Sequence, residues 1–196
     1  MPIEPYTFLF KRGRDNLSQT ELCRRRIVFD FETTGLSPGN GDRVIEVGAV
    51  AIENGRLTDE FHSLIHTDRE IHWAARRVHG ITSAMLVGKP PADQVFNAFH
   101  KFISSDPLIA HNAAFDLRFL ESEFAKLDLP FKNPHDCTLK LSRRHNQTLK
   151  SHKLENVARH LLGADAVKNI NLHRALDDAR LTAEVWLALV RNGALS

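Results

Sequence analysis

Two carboxylates stand two residues apart in an otherwise apolar run, Ile27-Val28-Phe29-Asp30-Phe31-Glu32. In a strand, alternate residues share a face, so Asp30 and Glu32 project together, roughly 7 Å apart, while Phe29 and Phe31 point the other way. At an intermediate dielectric two such charges repel by up to ~4 kcal/mol. No Lys or Arg between Ile27 and Asn40 offsets them. A hard divalent cation, magnesium or manganese, would relieve the repulsion. The pair alone is equally well explained by hydrated acids at an exposed strand end.

Two further acidic positions lie at helix beginnings. In His111-Asn112-Ala113-Ala114-Phe115-Asp116 a strand turns into a helix. Asp116 falls in the first turn, where the helix dipole favours an acid for purely structural reasons. Phe119 and Leu120 share its side of the helix, which aims the carboxylate at the sheet. In His173-Arg174-Ala175-Leu176-Asp177-Asp178 two adjacent acids compete for one role. Asp178 shares a stripe with Ala175, Leu181, Thr182, Val185 and Leu189, whereas Asp177 aligns with Arg180 and Glu184. Asp178 is therefore expected to be buried and Asp177 solvated. Five residues of helix turn through about 500°, so His173 meets Asp178 at one site only from a loop preceding the helix.

Positioning these groups takes a sheet with helices at its strand ends. Ile27–Glu32 reads as a buried strand stopped by Gly35, Pro38 and Gly39. Val44–Ile52 and Leu57–Ile65 form a hairpin around Asn54-Gly55, completing an antiparallel meander. A strand at Leu108–His111 follows. Helices are expected over Pro91–Ile103, Ala114–Lys126, Cys137–His145, Leu154–Leu162 and Ala175–Val190. This order indicates the α/β class, with helices covering a mixed sheet.

The chain's 196 residues, 42% of them hydrophobic, suffice for one core. The domain is placed at residues 27–196, after a basic extension at 1–26. That extension has six basic and three acidic side chains, +3, which leaves −1 for the rest of a chain whose formal total is +2. Near-neutrality excludes binding of nucleic acid by bulk charge alone. Ser18 and Glu21 have capping-box spacing for a short helix over 19–25. Arg24–Arg26 read as its basic last turn or as phosphate contacts. Cys23 and Cys137 are too few for a disulfide scaffold or a cysteine zinc site. No apolar run approaches the ~20 residues of a membrane helix, so the expected setting is the cytoplasm.

Three stretches, Asp30-Phe31-Glu32-Thr33-Thr34-Gly35, His111 to Asp116 and His173 to Asp178, occur in this order, with echoes at Val44–Val50 and Val78–Thr82. Together they resemble the DEDDh (DnaQ-like) 3′→5′ exonuclease superfamily over residues 27–190, most of all its bacterial proofreading branch, the polymerase III epsilon exonuclease domain. The resemblance implies a ribonuclease H-like fold with a mixed five-stranded sheet, and two divalent ions, Mg2+ or Mn2+. Asp30 would bridge both ions, Glu32 and Asp178 would complete one site, Asp116 would support the other, and His173 would be the general base. Two-ion phosphodiester hydrolysis fits that set, one ion acidifying the water and the other stabilising the leaving 3′ oxygen. The resemblance also implies that the main chain of Thr33, Thr34 and Gly35 meets the terminal nucleotide and that Leu36 packs on its base. His79, His111, Asn112 and Phe115 would lie beside the substrate. The only tyrosine, Tyr6, lies far upstream, so no tyrosine could take the place of His173.

The expected activity is metal-dependent release of nucleoside 5′-monophosphates from single-stranded or frayed DNA 3′ ends. RNA trimming or oligoribonuclease activity is the alternative that uses the same residues. A catalytically idle module binding nucleic acid or a polymerase is the alternative of a different class, and the full acidic set speaks against it. The sequence ends at Ser196, directly after the last expected helix. A C-terminal polymerase tether is therefore not expected, and a free-standing nuclease, or one recruited through residues 1–26, is expected rather than a constitutive replicase subunit. Two other histidine groupings are set aside. His62 and His66 have helical metal spacing but fall at an expected strand. His135-Asp136 resembles the doublet of all-helical metal phosphohydrolases, which the strand-rich start excludes.

Overall fold

The computed structural model describes residues 24–168 and 170–194. Strands Arg26–Thr33 (β1), Val44–Glu53 (β2), Arg56–Leu64 (β3), Leu108–Ala110 (β4) and His135–Cys137 (β5) form one sheet in the order β3-β2-β1-β4-β5. The β1–β2 and β2–β3 pairs are antiparallel, and the β1–β4 and β4–β5 pairs are parallel. This is the mixed five-stranded sheet that was expected. Asn54 and Gly55 between β2 and β3 have φ of 52° and 71°, the left-handed pair that a two-residue hairpin turn requires.

Seven helices surround the sheet among the described residues: Trp73–His79 (α1), Ser83–Leu86 (α2), Ala92–Ile103 (α3), Ala113–Ala125 (α4), Thr138–His145 (α5), Leu154–Leu162 (α6) and Ala175–Arg191 (α7). The alternation along β1 sorts its side chains between two cores. Ile27, Phe29 and Phe31 pack with Phe96 and Phe99 of α3 and Phe119 and Phe124 of α4. Val28 packs on the opposite face with Ala179, Ala183, Trp186 and Val190 of α7. Asp30 and Glu32 share the parity of Val28 and so face α7, as the period of two requires. A third core, with Val157 and Ala158 of α6 against Leu181, Val185 and Leu189, clamps α7 from outside.

One glycine decides how closely α7 approaches the sheet. Gly48 of β2 pairs with Asp30 of β1, and a methyl group on it would overlap the backbone of Ala175 and Leu176 at the start of α7. The bare backbone there lets the first turn of α7 settle directly over the strand that carries Asp30.

Three elements lie outside the sequence-based expectation: α1, α2 and β5. Of α1 only His79 is buried, so no apolar stripe announces it. The other two are very short, four residues for α2 and three polar-leaning residues for β5. Cys137, expected to open a helix, is the last residue of β5, and His111, expected to end β4, lies in the turn after it. The helix expected over 19–25 falls mostly outside the described residues, and Arg24 and Arg25 are irregular. Arg25 pairs with Glu53 and Asp106, and the Arg26 guanidinium stacks 5.1 Å from the Trp186 ring centroid. These two arginines are tied to the folded body.

Candidate active site

Carboxylate oxygens of Asp30, Glu32 and Asp178 lie within 4.8 Å of one another. Two come from one face of β1 and the third from the first turn of α7, which Gly48 admits. Asp116, in the first turn of α4, approaches from the neighbouring strand end. Its Oδ1 accepts a hydrogen bond from the Phe31 N–H at 3.2 Å, and its side chain is buried as the Phe119–Leu120 spacing required. Asp178 is buried, whereas Asp177 is partly exposed and bonds to Arg180 at 3.0 Å. The stripe along α7 chose correctly between them.

His173 lies in the loop before α7, with its φ at 65°. A non-glycine residue in that region is strained and must be held there. Its backbone N–H donates to Asp178 Oδ2 at 3.1 Å, which ties the loop to the acidic cluster and leaves the imidazole exposed. The other oxygen of Asp178 is buried and has no hydrogen-bond partner among the described residues. An unpartnered carboxylate oxygen facing two more carboxylates is a donor set for a hard divalent cation.

The electrostatics agree. Burial, and then the charges of Asp116, Glu32 and Asp178, push the Asp30 carboxyl well above its ordinary range. Burial and then Asp178 raise Glu32 to about 9. Burial raises Asp116 to about 8 against the opposing bond from Phe31, and Asp178 to about 6 against the bond from His173. Four acids that resist ionising together are a cluster of negative charge that a cation would stabilise.

Glu46 carries a role that sequence reasoning missed. It is fully buried on β2, in register with Glu32. Arg174 Nη2 donates to its Oε1 at 2.7 Å and Nε to its Oε2 at 3.1 Å, while the Ala175 N–H donates to Oε2 at 3.2 Å. His62 Nε2 lies 2.8 Å from Oε1. Burial alone would raise its pKa, but these bonds outweigh burial and hold Glu46 at about 2. It anchors the residues immediately after His173. The available signal was one acid inside the apolar run Val44-Ile45-Glu46-Val47.

A cleft of about 610 Å³ opens beside Glu32, lined by Gly35, Leu36, Trp73, Val78, His79 and Phe115 among others. Leu36 is 77% exposed into it because its neighbours are pinned. Asp42 Oδ2 accepts the Ser37 N–H, its Oδ1 accepts the Thr34 hydroxyl, and the Thr33 hydroxyl donates to Gly35 O at 2.6 Å. Asp42, buried and fitted against Gly35, is a second residue the sequence reading passed over. His79 accepts the Ile81 N–H at Nδ1 and reaches the Thr33 carbonyl with Nε2, 3.3 Å away, so it braces the same loop. Burial lowers its pKa. His111 stands apart from the cleft residues. Its ring nitrogens engage Thr138 Oγ1 at 2.8 Å and the His152 carbonyl at 2.9 Å, a structural tie between β4, α5 and the segment before α6. Asn112 is exposed and enters α4 with φ of 66°. His62 and His66 form no metal pair: one bonds Glu46 and the other the Leu86 carbonyl.

A sequence profile described as Exonuclease (RNase_T) matches residues 27–186. The chain belongs to the DEDDh exonuclease family. The Rickettsia typhi DNA polymerase III subunit epsilon is 37% identical over 172 residues, 84% of this chain and 73% of that protein. A PolC-type DNA polymerase III of Thermotoga petrophila is 41% identical over 165 residues, 84% of this chain, but the chain spans only about 12% of that polymerase's length. Exonuclease X, solved with 5′-overhanging duplex DNA, superposes with a TM-score of 0.69 at 26% identity, covering 86% of this chain and 92% of that structure's chain. No helix among the described residues is long and apolar enough to cross a membrane.

Proposed function

We propose that this exonuclease degrades single-stranded or frayed DNA from the 3′ end, releasing nucleoside 5′-monophosphates, with two divalent ions, Mg2+ or Mn2+. The observation that carries the reading is the convergence of Asp30, Glu32 and Asp178 oxygens beside an apolar cleft. These three would hold one ion, and Asp30 with Asp116 the other. Bound ions supply charge neutralisation around the phosphate and an acidified water. The His173 imidazole takes the proton of the attacking water as its oxygen adds to phosphorus. The bond from phosphorus to the 3′ oxygen breaks, and that oxygen takes a proton from solvent water, leaving a 3′ hydroxyl on the shortened strand. The main chain of Thr33, Thr34 and Gly35 meets the terminal nucleotide, whose base packs between Leu36 and Phe115. His79 acts by holding that loop, and Asn112, exposed at the start of α4, is assigned a contact with the substrate. His111, with both ring nitrogens engaged, contributes through the fold rather than by touching substrate.

DNA is favoured because the relatives are DNA polymerase subunits and the Exonuclease X structure holds DNA. The same kinship supports association with a polymerase, and the cytoplasm is the setting proposed for it. The test is a 5′-labelled strand, as DNA and as RNA of the same sequence, with Mg2+, Mn2+ or EDTA. A ladder shortening from the 3′ end, dependent on metal and faster on DNA, is expected. Faster cleavage of RNA would reassign the substrate, and binding without cleavage under any metal would make the chain an idle module.

A further inference from the structure

A second cleft, about 630 Å³, lies against the first and shares His72 and Trp73 with it; its other walls include Arg69, Arg76 and Arg77. Trp73 is 75% exposed, an unusual placement for the largest apolar side chain. Arg76 and Arg77 on α1 are exposed and have no carboxylate within ion-pair distance among the described residues, and Glu70 is the one acid on the cleft wall. We infer that this surface is the track for the single strand upstream of the terminal nucleotide, with Trp73 stacking on a base and Arg76 and Arg77 meeting phosphates.

The inference rests on the proposed nuclease reading and extends it to a strand-length requirement. Single-strand grooves combine cationic rims with aromatic platforms, because every base has a π-face and every nucleotide a phosphate. Here the platform sits where the catalytic cleft ends, so a strand leaving the Leu36–Phe115 pocket past Trp73 meets the arginines next.

The chain has two tryptophans, and the other, Trp186, is fully buried. Intrinsic fluorescence therefore reads Trp73 directly. Titration of the full chain in EDTA with an oligothymidylate of about eight nucleotides should quench the exposed emission. Trp73→Phe should lose the quench and keep affinity, whereas Trp73→Ala should weaken binding about tenfold. The double variant Arg76→Gln/Arg77→Gln should lower the slope of log K against log salt by about 1.4, two phosphate contacts on a single strand. With metal present, the same double variant should raise KM for the long strand and leave hydrolysis of a p-nitrophenyl thymidine monophosphate ester unchanged. Absence of a quench, with KM and salt slope unaltered in the double variant, overturns the track. A wild-type protein that cleaves no strand yet shows the quench would sink the nuclease reading alone, because the titration needs no catalysis.

Discussion

Replacing Glu46 by Gln removes one charge and little volume from a side chain with no exposed surface. The folded state holds this carboxyl at about 2 against an ordinary 4.5. At about 1.4 kcal/mol per pH unit the difference corresponds to ~3 kcal/mol of stability at neutral pH. Its main partner, Arg174, is 28% exposed, so water recovers part of the loss on that side. The Ala175 N–H has no such recourse. A glutamine also turns an amide donor towards either the guanidinium or that N–H, both donors themselves. For a domain of this size ~3 kcal/mol lowers Tm by about 6–12 °C. Because the group's pKa is depressed on folding, its contribution is fully present above pH 4.5 and is lost as pH falls through about 2. Urea unfolding of wild type and Glu46→Gln in EDTA should therefore differ by a constant amount between pH 7 and 5 and converge below. The same variant should lower kcat with KM nearly unchanged, since Arg174 and Ala175 follow His173 directly and the cleft residues are untouched. A stability difference under about 0.5 kcal/mol, the range of ordinary surface substitutions, would refute the reasoning. So would a loss confined to KM.

Asp178→Asn should reduce turnover by several orders of magnitude while Asp177→Asn leaves it nearly intact; a dead Asp177 variant beside an active Asp178 variant would contradict the facing of α7. In the metal-free protein the raised carboxyls of Glu32, Asp116 and Asp178 make the fold more stable as pH falls, the gain being lost as pH rises through about 6 to 9. Asp30→Asn should accordingly raise Tm in EDTA at pH 8 and abolish the further rise given by Mn2+, and an equal Mn2+ shift in both proteins would rule out Asp30 as a ligand. Gly48→Ala should cost about 3 kcal/mol or more, because α7 must lift off β2, and should impair activity through Asp178; unchanged thermal unfolding would show that the helix start yields freely.

Local periodicity was enough to place most of the candidate chemistry. The alternation along β1 puts Asp30 and Glu32 on one face whatever lies above it, and the stripe along α7 separates Asp178 from Asp177 without knowledge of the sheet. Asn54-Gly55 specifies its hairpin because both residues accept positive φ, and the amphipathic run Leu154–Leu162 forms the helix expected for it. These are properties of neighbours in the chain, and the sequence states them directly. Glu46, Asp42 and Gly48 are different. Each acts on a residue far along the chain or across a loop: Glu46 on Arg174, Asp42 on Ser37 and Thr34, Gly48 on the backbone of Ala175. Whether an acid in an apolar strand is a ligand, a mistake or an anchor depends on which cation the fold brings to it, and only strand register and helix docking decide that. The two histidines show the same division. The family resemblance made His79 and His111 equal candidates for the substrate, but tertiary contacts engaged both ring nitrogens of His111 with Thr138 and His152, while setting His79 under the loop that presents Leu36. A short, exposed helix such as α1 buries too little to leave a pattern, so the surface around Trp73 could be found only once the chain was folded.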